Sequence, residues 1–180
     1  MVVLDFETTG LVQVANQPEA KQPRIIEATL AKLDNKSLKE LRRESFLIAT
    51  KEPINEEVQR ITGISSKDLI KAQPFEFYYT TFCDMFLGET IMVGHNCQFE
   101  GELLAFELCR IGKGFWFPWP TRRICTVEAS AHLSKRRLKL DELYEMATGK
   151  KRKGGHRTDV DVTDTITCLR WLVKKGAVVI

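Results

Sequence analysis

The sequence lacks the features of a disulfide-stabilised, zinc-binding or membrane-spanning protein. Its five cysteines, at positions 83, 97, 109, 125 and 168, include no CxxC pair, and this odd, scattered set argues against a disulfide framework or a zinc site. No stretch approaches the roughly 20 apolar residues of a membrane span, and no basic and apolar signal segment stands at the start. We therefore expect free thiols, no membrane association and a cytosolic location, in a cell or in an infected host.

The sequence also lacks a strong charge excess, internal repeats and long linkers. Its 27 Lys and Arg residues against 24 Asp and Glu residues give a net charge of +3, so total charge says little about partners. The 180 residues suit one domain, 1–180, which is long enough to bury a core without disulfides or a structural metal. Basic residues nevertheless cluster in the last third, as "RR" at 122–123, "KRR" at 135–137 and "KKRK" at 150–153.

Hydrophobic patterns predict a mixed sheet flanked by helices, which is α/β in class. Strand patterns at 1–6, 24–34 and 41–50 would form an antiparallel meander, and later strands are expected at 90–95 and within 116–126. Caps, glycine stops and helical spacing predict helices at 55–63, 65–72, 75–88, 97–112, 127–133, 139–149 and 159–176.

The first strand ends in two closely spaced acids, in "VVLDFETTG" at 2–10. Strand alternation puts Asp5 and Glu7 on one face and Phe6 on the other. Two carboxylates held this close repel by a few kcal/mol unless a cation lies between them. The residues alone equally allow a Glu7 that has left the strand and is solvated in the loop.

Two further segments place ionisable groups at the ends of elements. "GHNCQFE" at 94–100 puts Glu100 one turn into a helix that follows a buried strand, and "GGHRTDVDVTD" at 154–164 puts His156 and Asp161 around the start of the last helix. A surface histidine and an acid that complements the helix dipole would explain the second segment equally well.

These segments carry a resemblance to a known family. "VVLDFETTG", "VGHNCQFE" and "HRTDVD" resemble, in order, the three motifs of the DEDDh 3′–5′ exonucleases, which include polymerase proofreading subunits and RNase T. The intervening "RIIEATLAKLD", "EEVQRITGISSKDL" and "TRRICTVEAS" are also similar to the family, so the resemblance spans essentially the whole chain. It implies an RNase H-like fold, with three antiparallel strands followed by parallel strands and flanking helices.

The resemblance implies a role for each matching residue. Asp5, Glu7, Glu100 and Asp161 would hold two divalent ions, and carboxylate ligands suit Mg²⁺ or Mn²⁺. His156 would be the general base that acts on the attacking water.

The same resemblance implies substrate contacts. Thr8, Thr9 and Gly10 would lie against the terminal nucleotide, and Gly10 would permit close approach of the backbone. Asn96 and Phe99 are interpreted as supports, the first a hydrogen-bonded anchor and the second a packing residue.

One position departs from the family pattern. The second-motif acid is normally Asp, and the extra methylene of Glu100 moves the carboxylate by roughly 1.5 Å, against a tolerance of about 0.5 Å in a preorganised site. Either the backbone compensates, the site is weakened, or the residue is an introduced change. Asp159 and Asp164 are rival acids in the third motif, and the five-residue spacing from His156 favours Asp161, with Asp164 as a supporting residue.

The basic clusters and one aromatic loop are candidate substrate contacts. We expect the cluster before His156 to contact phosphates, and 135–137 to extend the track, although a solvated loop or a nuclear localisation signal would have the same composition. The cluster comprises Lys150, Lys151, Arg152 and Lys153. Trp116, Phe117 and Trp119 would either stack on bases or pack locally.

The leading functional hypothesis is a metal-dependent 3′–5′ exonuclease that acts on DNA, single-stranded DNA in particular. The alternatives are an exoribonuclease or oligoribonuclease of the same fold, and a weakly active or non-catalytic nucleic-acid-binding module. The expected partners are a nucleic acid 3′ end and a polymerase or other replication protein.

Overall fold

A computed structural model describes residues 1–12, 18–153 and 157–180. Its strands, in chain order, are β1 (Val2–Thr8), β2 (Ile25–Leu33), β3 (Glu40–Ala49), β4 (Gln73–Pro74), β5 (Ile91–Gly94) and β6 (Arg122–Cys125). They form one sheet in the order β4-β3-β2-β1-β5-β6. β1, β2 and β3 pair antiparallel, whereas β5 is parallel to β1 and β6 is parallel to β5. The predicted α/β class with a mixed sheet is confirmed.

Helices pack on both faces of this sheet. They are α1 (Glu56–Thr62), α2 (Phe75–Phe86), α3 (Cys97–Arg110), α4 (Thr126–Ala129), α5 (Leu140–Thr148) and α6 (Thr158–Lys174). One hydrophobic cluster joins the sheet to α2 and α3, and a second joins it to α5 and α6. Within the described residues, no helix combines the length and the apolar character needed to cross a membrane.

Alternate side chains of β1 point to opposite faces of the sheet and so enter different clusters. The same alternation decides on which face the acids of β1 lie. Val2, Leu4 and Phe6 belong to the cluster with α2 and α3, and the Phe6 ring lies 6.2 Å from the ring of Phe82. Val3 belongs to the opposite cluster, under α5 and α6. Because Asp5 and Glu7 follow Val3 at a period of two, they face the side on which α6 packs.

Several predicted boundaries change. β1 was expected to end at residue 6, but pairing with β2 continues to Thr8, with Glu7 opposite Glu27, so Glu7 has not left the strand. The helix predicted at 127–133 is only α4 followed by a 3₁₀ turn at Ala131–Leu133.

The helix predicted at 65–72 is a series of turns instead. The Asp68 carboxylate accepts hydrogen bonds from the Ser65 backbone N–H at 2.7 Å and from the Ser65 hydroxyl at 2.6 Å. These local bonds close a turn that competes with helical hydrogen bonding. The short edge strand β4, which pairs with the end of β3, was not predicted.

Candidate active site

Three carboxylates from two distant segments meet at the end of β1. Oxygens of Asp5, Glu7 and Asp161 all lie within 4.8 Å of one another, which is close enough for a single ion to bind them. Asp5 and Glu7 come from the strand, and Asp161 comes from the first turn of α6. Helix α6 packs across the face of the sheet onto which Asp5 and Glu7 project. This packing brings Asp161 to the two strand acids.

The fourth predicted acid, Glu100, approaches from the other side. It lies in the first turn of α3 and is 3% exposed, and its Oε2 has no hydrogen-bond partner among the described residues. β1 pairs with β5 only at Val2 and Val3, and beyond that pairing the backbone N–H of Phe6 donates to the Glu100 carboxylate. One oxygen of a buried carboxylate is therefore left for a ligand.

Burial and mutual repulsion raise the pKa of these acids. Desolvation, followed by the charges of Glu100, Asp161 and Glu7, raises the pKa of Asp5 well above its usual value. Desolvation and the Asp161 charge raise the pKa of Glu7 from 4.5 to about 7. Desolvation and the Glu7 charge likewise raise the pKa of Glu100. A cluster of carboxylates with raised pKa values is expected where a bound divalent cation completes the site.

The carboxylates therefore fit divalent metal ions. All donors are hard oxygens, three lie within reach of one ion, and a buried oxygen of Glu100 has no partner among the described residues. Asp5, Glu7, Glu100 and Asp161 are the described residues that would hold the ions.

The extra methylene of Glu100 has space because residue 94 is glycine. A Cβ added to Gly94 would lie 3.3 Å from the Cα of Cys97, which is tighter than most real contacts of this kind, and 3.4 Å from the Cγ of Glu100, which is ordinary van der Waals contact. A side chain at position 94 would therefore push against the first turn of α3, which carries the glutamate.

A buried glutamate fixes the start of α6, and no local sequence pattern indicates it. Both Glu27 oxygens accept from Arg157 Nε, at 2.9 and 3.1 Å, and Oε2 also accepts from the Thr158 backbone N–H at 3.1 Å. The Thr158 hydroxyl lies 2.7 Å from that of Thr29. Strand β2 thereby holds the helix N-terminus that carries Asp161.

The predicted general base, His156, lies outside the described residues.

The third motif offers three acids, and two of them, Asp159 and Asp164, make contacts outside the acidic group. Asp159 is 59% exposed and pairs with Arg43 at 2.7 Å, and Asp164 is buried and pairs with Arg152 at 2.5 Å. Of these three acids, Asp161 is the one that joins Asp5 and Glu7.

His95 is a residue near the acids that the sequence interpretation did not assign, although it lies within the quoted second motif. Its Nδ1 is 2.8 Å from the Thr126 hydroxyl, and the Leu138 backbone also bonds to the imidazole. Desolvation lowers the pKa of His95 to about 4. The ring is neutral at pH 7 and ties β5 to the segment before α5.

Two cavities adjoin the acidic group. The first, of about 540 Å³, contains basic and polar groups beside the acids, and its lining includes Asp5, His95, Asn96, Arg137, Lys139, Arg152 and Asp161. The second, of about 360 Å³, is more apolar, and its lining includes Phe6, Glu7, Thr8, Gly10, Val58, Ile61 and Phe99. Asp5 and Asp161 face the first cavity, and Glu7 faces the second.

The residues predicted to contact or support the terminal nucleotide lie in different surroundings. Thr8, Gly10 and Phe99 line the apolar cavity, and the Thr8 hydroxyl donates to the Gly10 carbonyl at 2.6 Å. Thr9 instead binds the protein, because its hydroxyl accepts from the Arg24 backbone N–H at 2.9 Å. Asn96 lines the basic cavity, where its Oδ1 accepts from Arg137 at 3.3 Å.

The basic and aromatic residues predicted to contact the substrate differ in their exposure to solvent. Lys150, Lys151 and Lys153 are exposed, whereas Arg152 turns inward onto carboxylates. Phe117 is buried against Phe86, which excludes base stacking by its ring and agrees with the alternative of local packing.

The tryptophans beside Phe117 differ in exposure. Trp119 is half-buried with its ring 4.8 Å from that of Phe117, whereas Trp116 is 74% exposed.

Comparison with known proteins gives the family. The RNase T family model, described as "Exonuclease", matches residues 2–169. The chain belongs to this exonuclease family. The family predicted from the three motifs is thereby confirmed.

The similarity to an individual curated protein covers a smaller part of the chain than the family match does. The exonuclease is 32% identical over 113 residues to the "DNA polymerase III PolC-type" of Halalkalibacterium halodurans, an alignment that covers 63% of this chain and 7% of the polymerase.

Two solved structures share its RNase H-like fold. Exonuclease X in complex with 5′ overhanging duplex DNA has a TM-score of 0.63 at 17% identity, covering 97% of this chain and 92% of that one. The nuclease domain of 3′hExo, a DEDDh family member bound to rAMP, has a TM-score of 0.71 at 16% identity, with 97% and 90% coverage.

Proposed function

We propose that this exonuclease removes nucleotides from the 3′ end of DNA, single-stranded ends in particular, by a mechanism that uses two divalent metal ions, Mg²⁺ or Mn²⁺. The observation that carries the proposal is the group of Asp5, Glu7 and Asp161, with a buried oxygen of Glu100 that has no partner among the described residues. When bound, the ions would activate a water molecule and stabilise the leaving 3′ oxygen.

The residues around the acids would orient the substrate. The apolar cavity lined by Thr8, Gly10 and Phe99 suits a terminal nucleoside, because it offers apolar surface to the base and a hydroxyl to the sugar. The exposed Lys150 and Lys151 would contact phosphates further along the strand.

We assign the general base to His156, by its five-residue spacing from Asp161. His95 is unsuited to this role, because its imidazole has a pKa of about 4 and is already bonded to Thr126 and Leu138. It would instead shape the wall of the basic cavity.

DNA is favoured as the substrate because the chain is similar to part of a DNA polymerase of the PolC type, and this similarity also supports a polymerase or other replication protein as partner. The second candidate is an exoribonuclease or oligoribonuclease, and the fold neighbour that binds rAMP supports it. The two differ at the 2′-hydroxyl, which the apolar cavity would have to accept or exclude. We further propose that residues 1–180 act as one nuclease domain.

The test uses 5′-labelled single-stranded DNA and RNA of the same sequence, with Mg²⁺, Mn²⁺ or EDTA. We expect DNA to shorten stepwise from its 3′ end with either metal and to stay intact in EDTA. Faster shortening of RNA would favour the second candidate. Binding without cleavage under all metal conditions would leave only a nucleic-acid-binding module.

A matched pair of variants tests the site itself. Asp161→Asn should reduce the rate by more than roughly 100-fold, because even groups that only orient a metal ligand contribute 10–100-fold. Asp159→Asn, two residues away on the same helix, should stay close to wild type, since Asp159 is exposed and pairs with Arg43. Equal losses in both variants would contradict the assignment.

A further inference from the structure

Arg152 was predicted to contact phosphates, but its guanidinium is enclosed by the protein's own acids. The side chain is 5% exposed and forms ion pairs with three carboxylates. Its Nη1 contacts Asp141 at 2.8 Å, its Nε contacts Asp164 at 2.5 Å, and its Nη2 contacts Asp161. The contact joins the segment after α5 to the first two turns of α6.

These three partners fall into two classes. Asp161 belongs to the acidic group that we assign to the metal ions, whereas Asp141 and Asp164 do not. The guanidinium therefore has two anchors outside the metal ligands and one contact on a ligand. Because its five N–H donors form a rigid fork, it can lose the third contact and still keep the other two.

The acidic group needs a positive charge. Oxygens of Asp5, Glu7 and Asp161 lie within 4.8 Å of one another, so their ionised forms repel as three pairs of like charges across a partly buried site. Arg152 acts against this repulsion, because its charge lowers the pKa of Asp5 and of Glu7. Arg157 also acts on Glu7, but it is half exposed and bound to Glu27.

We propose that Arg152 is a tethered counter-cation of the active site. It compensates Asp161 when no metal is bound, and it releases Asp161 to the metal while it stays paired with Asp141 and Asp164. The arginine thus stabilises the metal-free fold and weakens metal binding, which makes it a positioning residue rather than a catalytic one. This inference rests on the metal site of the proposed function.

The experiment compares melting temperatures in EDTA and in saturating Mn²⁺, together with calorimetric titration of Mn²⁺. Arg152→Gln should lower the melting temperature in EDTA and leave it nearly unchanged in Mn²⁺, so that the metal-induced shift increases. Mn²⁺ should bind roughly tenfold more tightly or better, because it no longer displaces a charged hydrogen bond from Asp161.

Arg43→Gln is the matched control. Arg43 also pairs with an acid of α6, at 2.7 Å from Asp159, and with Glu40 at 2.7 Å, but neither acid belongs to the metal-binding group. This variant should lower both melting temperatures equally and leave Mn²⁺ affinity unchanged. The control therefore separates loss of an ion pair on α6 from loss of the competing cation.

An equal loss of stability in EDTA and in Mn²⁺, or weaker Mn²⁺ binding by Arg152→Gln, would overturn the inference. If that variant does not fold in EDTA, Arg152→Lys takes its place. One ammonium group cannot span three carboxylates as the guanidinium fork does, so the metal-induced shift should again exceed that of wild type. A wild-type protein without any Mn²⁺-induced shift would refute the metal site and this inference together.

Discussion

Replacement of Glu7 by Gln should stabilise the metal-free exonuclease at neutral pH, although it removes a metal ligand. The pKa of Glu7 rises from 4.5 to about 7 because the carboxylate is desolvated and faces Asp161. At 1.36 kcal/mol per pKa unit, this rise corresponds to an upper bound of about 3 kcal/mol against folding.

The sign of the pH dependence follows from the direction of this change. Because the pKa of Glu7 is higher in the folded chain than in the unfolded one, the folded state holds the proton more strongly. Glu7 therefore costs nothing below pH 4.5, costs progressively more between pH 4.5 and 7, and costs the full amount above pH 7. The neutral amide of the Glu7→Gln variant carries no such cost at any pH.

The assay is urea denaturation in EDTA at pH 4.5 and pH 8. The unfolding free energy of Glu7→Gln should exceed that of wild type by up to about 3 kcal/mol at pH 8 and should match it at pH 4.5. In saturating Mn²⁺ the order should reverse, because wild type gains binding energy that the variant loses.

Glu102→Gln provides the control. Glu102 is half-buried, as Glu7 is, but its carboxylate accepts from Gln98 Nε2 at 2.9 Å, outside the acidic group. Its effect should stay within about 0.5 kcal/mol at both pH values. If Glu7→Gln destabilises the metal-free protein at pH 8, or if its gain is equal at both pH values, the repulsion argument is refuted.

Three further predictions address the support of the site. Glu100→Asp should withdraw the carboxylate from the Phe6 N–H and lower the cleavage rate at least roughly tenfold, measured with single-stranded DNA at saturating Mg²⁺. Gly94→Ala should lower kcat more than it lowers melting temperature in EDTA, because the added Cβ would lie 3.3 Å from the Cα of Cys97 and shift the first turn of α3, which carries Glu100; an unchanged kcat would contradict this. Glu27→Gln should destabilise the fold by about 1–3 kcal/mol in urea denaturation, since it weakens the bond to the Thr158 N–H and removes a charged partner.

The part of the site that depends on local periodicity could be predicted from the sequence. Alternation along β1 puts Asp5 and Glu7 on one face, and the helical turn after β5 puts Glu100 at the start of α3. The end of β1 was misplaced because pairing with β2 keeps Glu7 in the strand, opposite Glu27. Strand pairing of this kind depends on tertiary context, which local pattern does not contain.

The contacts that hold the acids together could not be predicted, since they join residues far apart in the chain. Glu27 and Arg157 are 130 residues apart, and nothing in the sequence near either one indicates the other. Arg152 is a similar case. A run of basic residues predicted a solvent-facing contact with phosphates, whereas acids from α5 and α6 enclose one of its four members. Composition predicts the charge of a segment but not which acids the fold brings to it.

Glu100 departs from the family pattern, and the structure shows how its longer side chain is accommodated. The longer side chain requires space and a backbone partner, and the fold supplies both. The space lies beside Gly94, and the partner is the Phe6 N–H, where β1 has extended past its pairing with β5. These contacts favour a backbone that accommodates the glutamate over a weakened site or an introduced change. Replacement by the shorter, more usual acid would then impair the site instead of repairing it.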